Sequence, residues 1–335
     1  MTIFGAYGHT GRFVVAELRK RGWTPILSGR DSEKLNVVEA AHRGLDIRPA
    51  SVDVPASLDH ALVDAAAVIN CAGPFVDTSA PVIEAALRAR IHYLDVTAEA
   101  EIAAAAFERY ADRARHAGIV IAPAMAFYGA LGDLLATAAM GDWSRADGIC
   151  VAYALDSWKP TPGTRFTAQR RGGRRLVFAN DRMELRTDRP PTVEWTFPAP
   201  IGTQTVIAEF PTADSVTISR HVKTPEIRTY MTLAPLKDLS DPDLSPPVAI
   251  DESGRSSQTF LVEAVARVGS EERRAVARGR DIYAITAPIV AEATRRVVCG
   301  LAETTGVVAA GEAFDARDFL RSLCPEHLSL ELREA

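Results

Sequence analysis

The sequence is poor in the features that mark a metal, membrane or nucleic-acid protein. Its four cysteines, Cys71, Cys150, Cys299 and Cys324, are widely scattered with no C-x-x-C pair. This argues against a zinc site and a disulfide framework, so no metal is expected and a reducing cytoplasm fits. No excess of positive charge is present: 38 basic against 43 acidic residues leave a net charge of −5, and no overall field draws nucleic acid or an anionic membrane. The first residues lack the basic and apolar segments of a secretory signal. Residues 118–132 (GIVIAPAMAFYGALG) are uncharged, but this run of fifteen is too short for a bilayer and is broken by Pro123 and Gly129. It reads as a buried strand at 119–122, a loop, and a helix starting near Leu131. Repeats and low-complexity segments are absent. With 335 residues, 47% of them hydrophobic, the chain has room for one large or two ordinary domains.

What is present begins at once. In MTIFGAYGHTGRFVVAELRKRGW, a short strand (2–4) meets Gly5, Gly8 and Gly11 at three-residue spacing, and Phe13, Val14, Val15 and Leu18 then fall on one helical face. Strand, glycine turn and helix together make an anion site: the glycines permit a tight turn and close backbone approach, and the helix N-terminus offers N–H groups to a pyrophosphate. A plain tight turn is the alternative. The second strand, residues 24–28, ends in Ser28-Gly29-Arg30-Asp31-Ser32, with no acid where a free ribose 2′-hydroxyl would be bound. Arg30 places a guanidinium, and Ser32 a hydroxyl, where the 2′-phosphate of NADP would lie, so NADP is favoured over NAD. A solvated Arg-Asp turn is the competing use.

Strands at 46–52, 67–71, 92–96 and 119–122 alternate with helices at 56–65, 80–89 and 100–117, the pattern of a parallel sheet covered on both faces. Beyond it the chain is richer in proline and reads as strands at 193–197, 205–209 and 216–219, a mostly antiparallel second domain. Helices return at 284–301 and 314–323. Ligands of such sheets sit beyond the carboxyl ends of the strands. There stand Asp53, for the adenine amino group or as a helix cap; Asn70, Cys71, Ala72, Gly73, Pro74 and Phe75, small enough to pass under a nicotinamide ribose; and Asp95, Thr97 and Glu99. Thr97 is alternatively a cap with Glu99 or Glu101 in its helix.

GAYGHTGR, SGRDSEKL, VINCAGPF and YLDVTAE, in this order and at these separations, resemble the saccharopine dehydrogenase-like NADP-binding oxidoreductases, including the bacterial branch called trans-acting enoyl reductases. The resemblance covers residues 1 to about 127 and returns at GRDIY (279–283) and GVVAAGEAFDARDFL (306–320). It implies an N-terminal Rossmann-type parallel sheet (1–125), an inserted mixed α/β second domain with a mostly antiparallel sheet (126–283), and C-terminal helices (284–335) returning to the first. By position it assigns Gly5, Gly8 and Gly11 to the pyrophosphate, Arg30 to the 2′-phosphate, and Ala72, Gly73, Pro74 and Phe75 to the nicotinamide ribose side; Tyr7, His9, Thr10, Ser28, Gly29, Ser32, Asp53 and Cys71 are the further expected cofactor-binding residues. The chain departs from the family after the sixth strand. Where Gly-Phe-Asp-x-x-Pro-x-Asp is common, it reads Ala126-Phe127-Tyr128-Gly129-Ala130-Leu131-Gly132-Asp133. Asp133 is kept, Tyr128 replaces an acid, and a substrate other than saccharopine is expected.

The expected activity is an NADPH-dependent reduction of a C=N or polarised C=C bond in a small or carrier-bound metabolite, which requires a proton donor beside the hydride. Tyr128, Glu99 and Asp133 are the expected catalytic residues, Tyr128 as donor, with Asp95 and His92 as further candidates. Arg165, Arg170, Arg171, Arg174 and Arg175 flank Gly172-Gly173 and read as a hairpin, either solvated or facing an anionic substrate or carrier. A non-catalytic NADP sensor or accessory subunit is the alternative. Neither nucleic acid nor membrane is expected as partner; a homodimer is admitted.

Overall fold

Thr2, Ile3 and Phe4 are all buried and form β1 (Thr2–Phe4), and Val14, Val15 and Leu18 are the buried stripe of α1 (His9–Lys20). The computed structural model describes residues 1–302 and 304–333. Strands and helices then alternate: β2 (Ile26–Gly29), α2 (Ser32–Ala41), β3 (Ile47–Pro49), α3 (Pro55–Ala61), β4 (Ala67–Asn70), α4 (Phe75–Ala89), β5 (His92–Asp95), α5 (Ala100–Ala117) and β6 (Val120–Ala122). A π-type turn, Phe127–Leu131, leads into α6 (Gly132–Met140), so the uncharged run is a strand, a turn and the start of a helix. Among the described residues no helix is long and apolar enough to cross a membrane. There follow β7 (Gly148–Leu155), α7 (Pro162–Arg171), β8 (Arg175–Ala179), β9 (Arg182–Arg186), β10 (Thr192–Phe197), β11 (Gly202–Ala208), α8 (Asp214–Ile218), β12 (Glu226–Thr232), α9 (Leu233–Ser240), β13 (Thr259–Val268) and β14 (Glu271–Arg280). The chain closes with α10 (Thr286–Val298), β15 (Gly306–Val307), α11 (Ala310–Ala313), α12 (Ala316–Ser322) and β16 (Leu328–Arg333).

These elements form two units, Met1–Phe127 with Tyr283–Phe314, and Tyr128–Ile282 with Asp315–Ala335. The first holds a seven-stranded parallel sheet in the order β15-β6-β5-β4-β1-β2-β3. All four residues of β4 are buried, which is why it reads as an apolar run rather than an alternation. β1 lies between β2 and β4, with Ile3 in register with Leu27 on one side and Ile69 on the other. The strand order reverses there, and a dinucleotide crosses such a sheet at that point. α10 packs along α1 and onto β4 and β5, and Arg21, the C-cap residue of α1, reaches Glu292 of α10 at 2.8 Å.

The second unit is built on a sheet in the order β10-β11-β12-β7-β13-β14-β16, antiparallel except between β12 and β7, with the β8–β9 hairpin joined to β12. α6 lies on β7, β13 and β14, with α8 and α12 against it. A separate apolar cluster includes Phe197, Val206, Leu261 and Val265 around Trp195, which stacks on Tyr230 at 4.8 Å. The fold class is therefore the expected one, a parallel Rossmann-type sheet joined to a mostly antiparallel second sheet.

Three expectations fail in the second unit. Residues 216–219 are not a strand: all five residues of α8 (Asp214–Ile218) are buried, and a short apolar alternation does not distinguish a strand from one buried helical turn. The arginine-rich stretch is not a hairpin, because Thr161 caps α7, Pro162 opens it, and Gly172, at φ 62°, ends it in the left-handed conformation. Finally, the C-terminal segment divides. Tyr283–Phe314 joins the first unit, but beyond it α12 packs on α6 and β16 pairs with β14, so residues after 314 complete the second sheet.

Candidate dinucleotide site

The three glycines of the first turn have three different physical reasons. Gly5 sits at φ +86°, and a Cβ there would lie 2.7 Å from the Ala72 nitrogen and 2.9 Å from its Cα, so both backbone and space demand glycine. Gly8 is the N-cap of α1 in an extended conformation open to any residue (φ −64°, ψ 163°). Gly11, in the first helical turn, would drive a Cβ to 2.2 Å from the Gly5 carbonyl oxygen. The third glycine thus seats the helix on the turn. Gly8 brings no capping side chain and the first turn carries no acid, leaving the positive end of α1 facing the carboxyl end of β1. The N–H groups of Gly5 and Ala6 donate to the Ser28 carbonyl at 2.8 and 3.1 Å, which fixes the turn to β2. The Tyr7 ring covers Gly29, whose added Cβ would come within 2.7 Å of it, and His9 packs edge-on against Phe13 and Tyr283. Thr10 is partly exposed in the first turn of α1.

At the end of β2, Arg30 is exposed and makes no ion pair among the described residues. Asp31 is occupied elsewhere: it caps α2 by accepting the Lys34 N–H at 3.1 Å and pairs with the Lys34 ammonium at 3.0 Å. The Arg-Asp turn is therefore not an internal pair, and the Arg30 guanidinium stands available to an anion beside exposed Ser32. Two expected contacts change character. The Ser28 side chain is fully buried, and the residue contributes its carbonyl to the turn. Asp53 is exposed and accepts from the Ser51 hydroxyl at 3.2 Å; it is not a helix cap, since Val54 holds that position in α3. Arg30→Ala should remove most of a preference for NADPH over NADH of about 1.5–3 kcal/mol, the usual worth of a hydrogen bond to a charged group. Paired titrations check this, and equal dissociation constants for the two cofactors in the wild type would refute it.

On the other side of β1, residues 72–75 lie open or partly open at the end of β4. The Cys71 thiol is buried, and burial, reinforced by Asp95, pushes it far above its ordinary range, so it is no nucleophile. Asn70 accepts the Ala72 N–H at 3.0 Å, and Thr78 donates to the Ala72 carbonyl at 2.6 Å. Glu99 is the N-cap residue of α5, and its carboxylate accepts the Phe75 N–H at 3.2 Å. Thr97 is therefore not the cap; its hydroxyl accepts the Glu99 N–H at 3.1 Å. Asp95 is buried, and burial raises its pKa against the pull of the Ala124 and Thr97 N–H groups and the Tyr93 hydroxyl. His92 stands at the opposite end of β5, where its ring nitrogen accepts the Val120 N–H at 3.0 Å, and burial lowers its pKa.

Tyr128 and Asp133 belong to the second unit. Tyr128 is 7% exposed, its ring 5.0 Å from Tyr153, 5.7 Å from Trp158 and 5.9 Å from Phe210. Asp133 is fully buried in the first turn of α6 and lies 2.7 Å from a ring nitrogen of His221, so its carboxylate is engaged within the unit. No motif or periodicity singles out Tyr153 and Asp214. The Tyr153 hydroxyl donates to Asp214 at 2.6 Å, Gly129 donates its N–H to the same carboxyl, and Gly132 leaves room for it. Burial raises the Asp214 pKa to about 6. A raised carboxyl pKa means that the ionised fold carries a penalty, which is absent below the unfolded value and grows as pH rises through the folded one. Relative to Asp214→Asn, the wild type should lose about 2–3 kcal/mol of stability between about pH 4 and pH 7. Urea unfolding across that range checks it, and parallel stability curves would refute it.

The arginine cluster disperses. Arg165 donates to the Asp241 and Leu244 carbonyls, Arg170 lies over Phe166, and Arg175 is buried against Glu209 and Asp188. The Arg171 side chain lies outside the described residues. Among the described residues, these contacts tie Arg165, Arg170 and Arg175 to the protein itself and lend no support to a carrier or anionic substrate.

Residues 1–122 match the family model of the saccharopine dehydrogenase NADP binding domain. A saccharopine dehydrogenase-like oxidoreductase of Bos taurus is 30% identical over 152 residues, 40% of this chain and 35% of that protein. Its Homo sapiens counterpart shows the same identity and coverage. The matched region thus covers about a third of the length of these relatives. Apo saccharopine dehydrogenase (L-Glu forming) from Saccharomyces cerevisiae superposes over 99% of both chains with a TM-score of 0.67 at 13% identity, a likeness of fold. The glycine turn, the open Arg30 and a β2 that ends in Ser28-Gly29 without an acid fit the same cofactor, and residues 1–122 match an NADP-binding domain of the saccharopine dehydrogenase type.

Proposed function

We propose that the protein is an NADPH-dependent oxidoreductase that reduces a C=N or polarised C=C bond of a small or carrier-bound metabolite other than saccharopine. The observation that carries this reading is the pairing, on either side of β1, of an open arginine after β2 with a backbone loop fixed after β4, a cradle for a whole dinucleotide rather than for adenosine alone. Bound NADPH supplies the hydride. The first turn of α1 holds the pyrophosphate, Arg30 the 2′-phosphate, and the backbone at 72–75 the nicotinamide ribose. Tyr128 gives the proton to the product nitrogen or carbon. Its support is chemical: it packs on Tyr153, whose hydroxyl bonds to Asp214, a carboxyl whose pKa burial raises to about 6. Glu99 anchors the start of α4, and Asp133, held by His221, keeps the α6 turn in place.

A crystal structure with NADP tests the reading. A reductase leaves one face of the nicotinamide C4 open to a substrate, with a proton donor in reach. Protein covering both faces would overturn it in favour of a non-catalytic NADP sensor or accessory subunit.

A further inference from the structure

Asp95 is 1% exposed and lies where the ends of β4, β5 and β6 converge. Its Oδ1 accepts the Thr97 N–H at 3.0 Å, in the loop after β5, and the Ala124 N–H at 2.8 Å, in the loop after β6. Its own carbonyl accepts the Met125 N–H at 2.8 Å. Ala124 is held at φ 58°, a conformation that an alanine adopts only at a cost, and these two bonds pin the segment on which that cost falls. The Asp95 Oδ2 accepts the Tyr93 hydroxyl at 2.8 Å, and the Tyr93 oxygen lies 3.3 Å from Asn70 Nδ2.

The polarity of this chain is fixed at both ends. The Ala72 N–H can only donate, so the oxygen of Asn70 faces it and the Asn70 amide nitrogen must donate to Tyr93 and to Thr78, 3.3 Å away. Tyr93, having accepted from Asn70, directs its proton to Asp95, which receives donors on both oxygens. Thr78 in turn donates to the Ala72 carbonyl. Both polar groups of Ala72, the residue that abuts Gly5, are therefore set by side chains that trace back to Asp95.

We propose that Asp95 is the positioning residue for the nicotinamide half of the cofactor: acting through Tyr93, Asn70 and Thr78, it fixes the backbone after β4, β5 and β6 without touching the dinucleotide. The inference rests on the NADPH reading above, because it takes the nicotinamide to lie on the β4 side of β1. Replacement by asparagine puts an NH2 group where only an acceptor fits, leaving a Tyr93 or backbone donor unpaired in a buried site. The disturbance is confined to one half of the cradle, since none of these bonds reaches Arg30 or the β2 end.

The test compares full-length wild type and Asp95→Asn by titration with NADPH, followed by nicotinamide fluorescence, and with adenosine 2′,5′-bisphosphate, which carries the 2′-phosphate but no nicotinamide. The expected result is that NADPH affinity falls about tenfold or more, with loss of the bound-nicotinamide fluorescence signal, while affinity for the bisphosphate stays within about twofold. Tyr93→Phe, which cuts the chain but leaves the Asp95 backbone bonds, should show a smaller shift in the same direction and serves if Asp95→Asn does not fold. Affinities for both ligands falling together, or neither falling in either variant, would overturn the proposal. A wild-type protein that binds neither ligand would overturn the cofactor reading and this inference with it.

Discussion

Gly8→Val should weaken NADPH binding by a hundredfold or more while the protein stays folded. The two effects separate because Gly8 is glycine for the sake of the ligand and not of the fold. Its backbone is extended, and a Cβ there meets the Gly5 carbonyl oxygen at 3.2 Å, which a few tenths of an ångström relieve, and the Cys71 carbonyl oxygen at an ordinary 3.9 Å. What the valine side chain removes is the close approach of a pyrophosphate to the first turn of α1, where the helix dipole and backbone N–H groups act at hydrogen-bond range. Gly11→Ala is the contrasting control. Its Cβ would clash at 2.2 Å with the Gly5 carbonyl, so it should lower stability by about 1–3 kcal/mol, as overpacked substitutions do. Isothermal titration with NADPH and urea unfolding separate the pair. Unchanged NADPH affinity in Gly8→Val would reduce the glycine run to a tight turn.

Tyr128→Phe should cut turnover by about a hundredfold or more, with NADPH affinity unchanged, if its hydroxyl delivers the proton. The substitution keeps the ring and therefore its packing against Tyr153, Trp158 and Phe210, so a fall in turnover cannot be blamed on a lost aromatic contact. The Tyr153–Asp214 bond is left in place, and the pH profile should lose a limb rather than move as a whole. Steady-state kinetics on the first substrate identified decide the matter. A phenylalanine enzyme with wild-type turnover would pass the role to Glu99 or to water.

The first unit was legible because its information is local. The glycine spacing and the apolar runs act within a few residues of where they stand, and α5 begins and ends at the positions its alanine-rich pattern indicates. The cofactor turn shares that property. The second unit was less legible because its positions are fixed by partners far away in sequence: Asp214 answers to Tyr153, 61 residues earlier, and His221 to Asp133, 88 residues earlier. No periodicity carries such pairings. The arginine stretch misled for a different reason. Gly172-Gly173 between two basic runs has the composition of a hairpin, while Thr161-Pro162, a cap followed by a first-turn proline, is a helix start that outweighs it. Asp95 stands out in the sequence for its charge, but its burial depends on β4 and β6 standing to either side of β5, a matter of sheet order.

The alternation of the two units along the chain has a consequence for the order in which the polypeptide is made. A nascent chain that has emerged as far as Phe127 possesses six of the seven strands of its first sheet, but β6 still lacks its neighbour β15, and α1 lacks α10, whose Ile289, Val290 and Ala293 are fully buried in the finished fold. Both arrive only after some 155 further residues, Tyr128–Ile282, have been synthesised. Those residues are incomplete at that moment too, because β14 awaits β16 from the last stretch of the chain. Vectorial synthesis therefore delivers the nucleotide cradle first and its closing pieces late, so that an open parallel-sheet edge must be kept from foreign strands during translation.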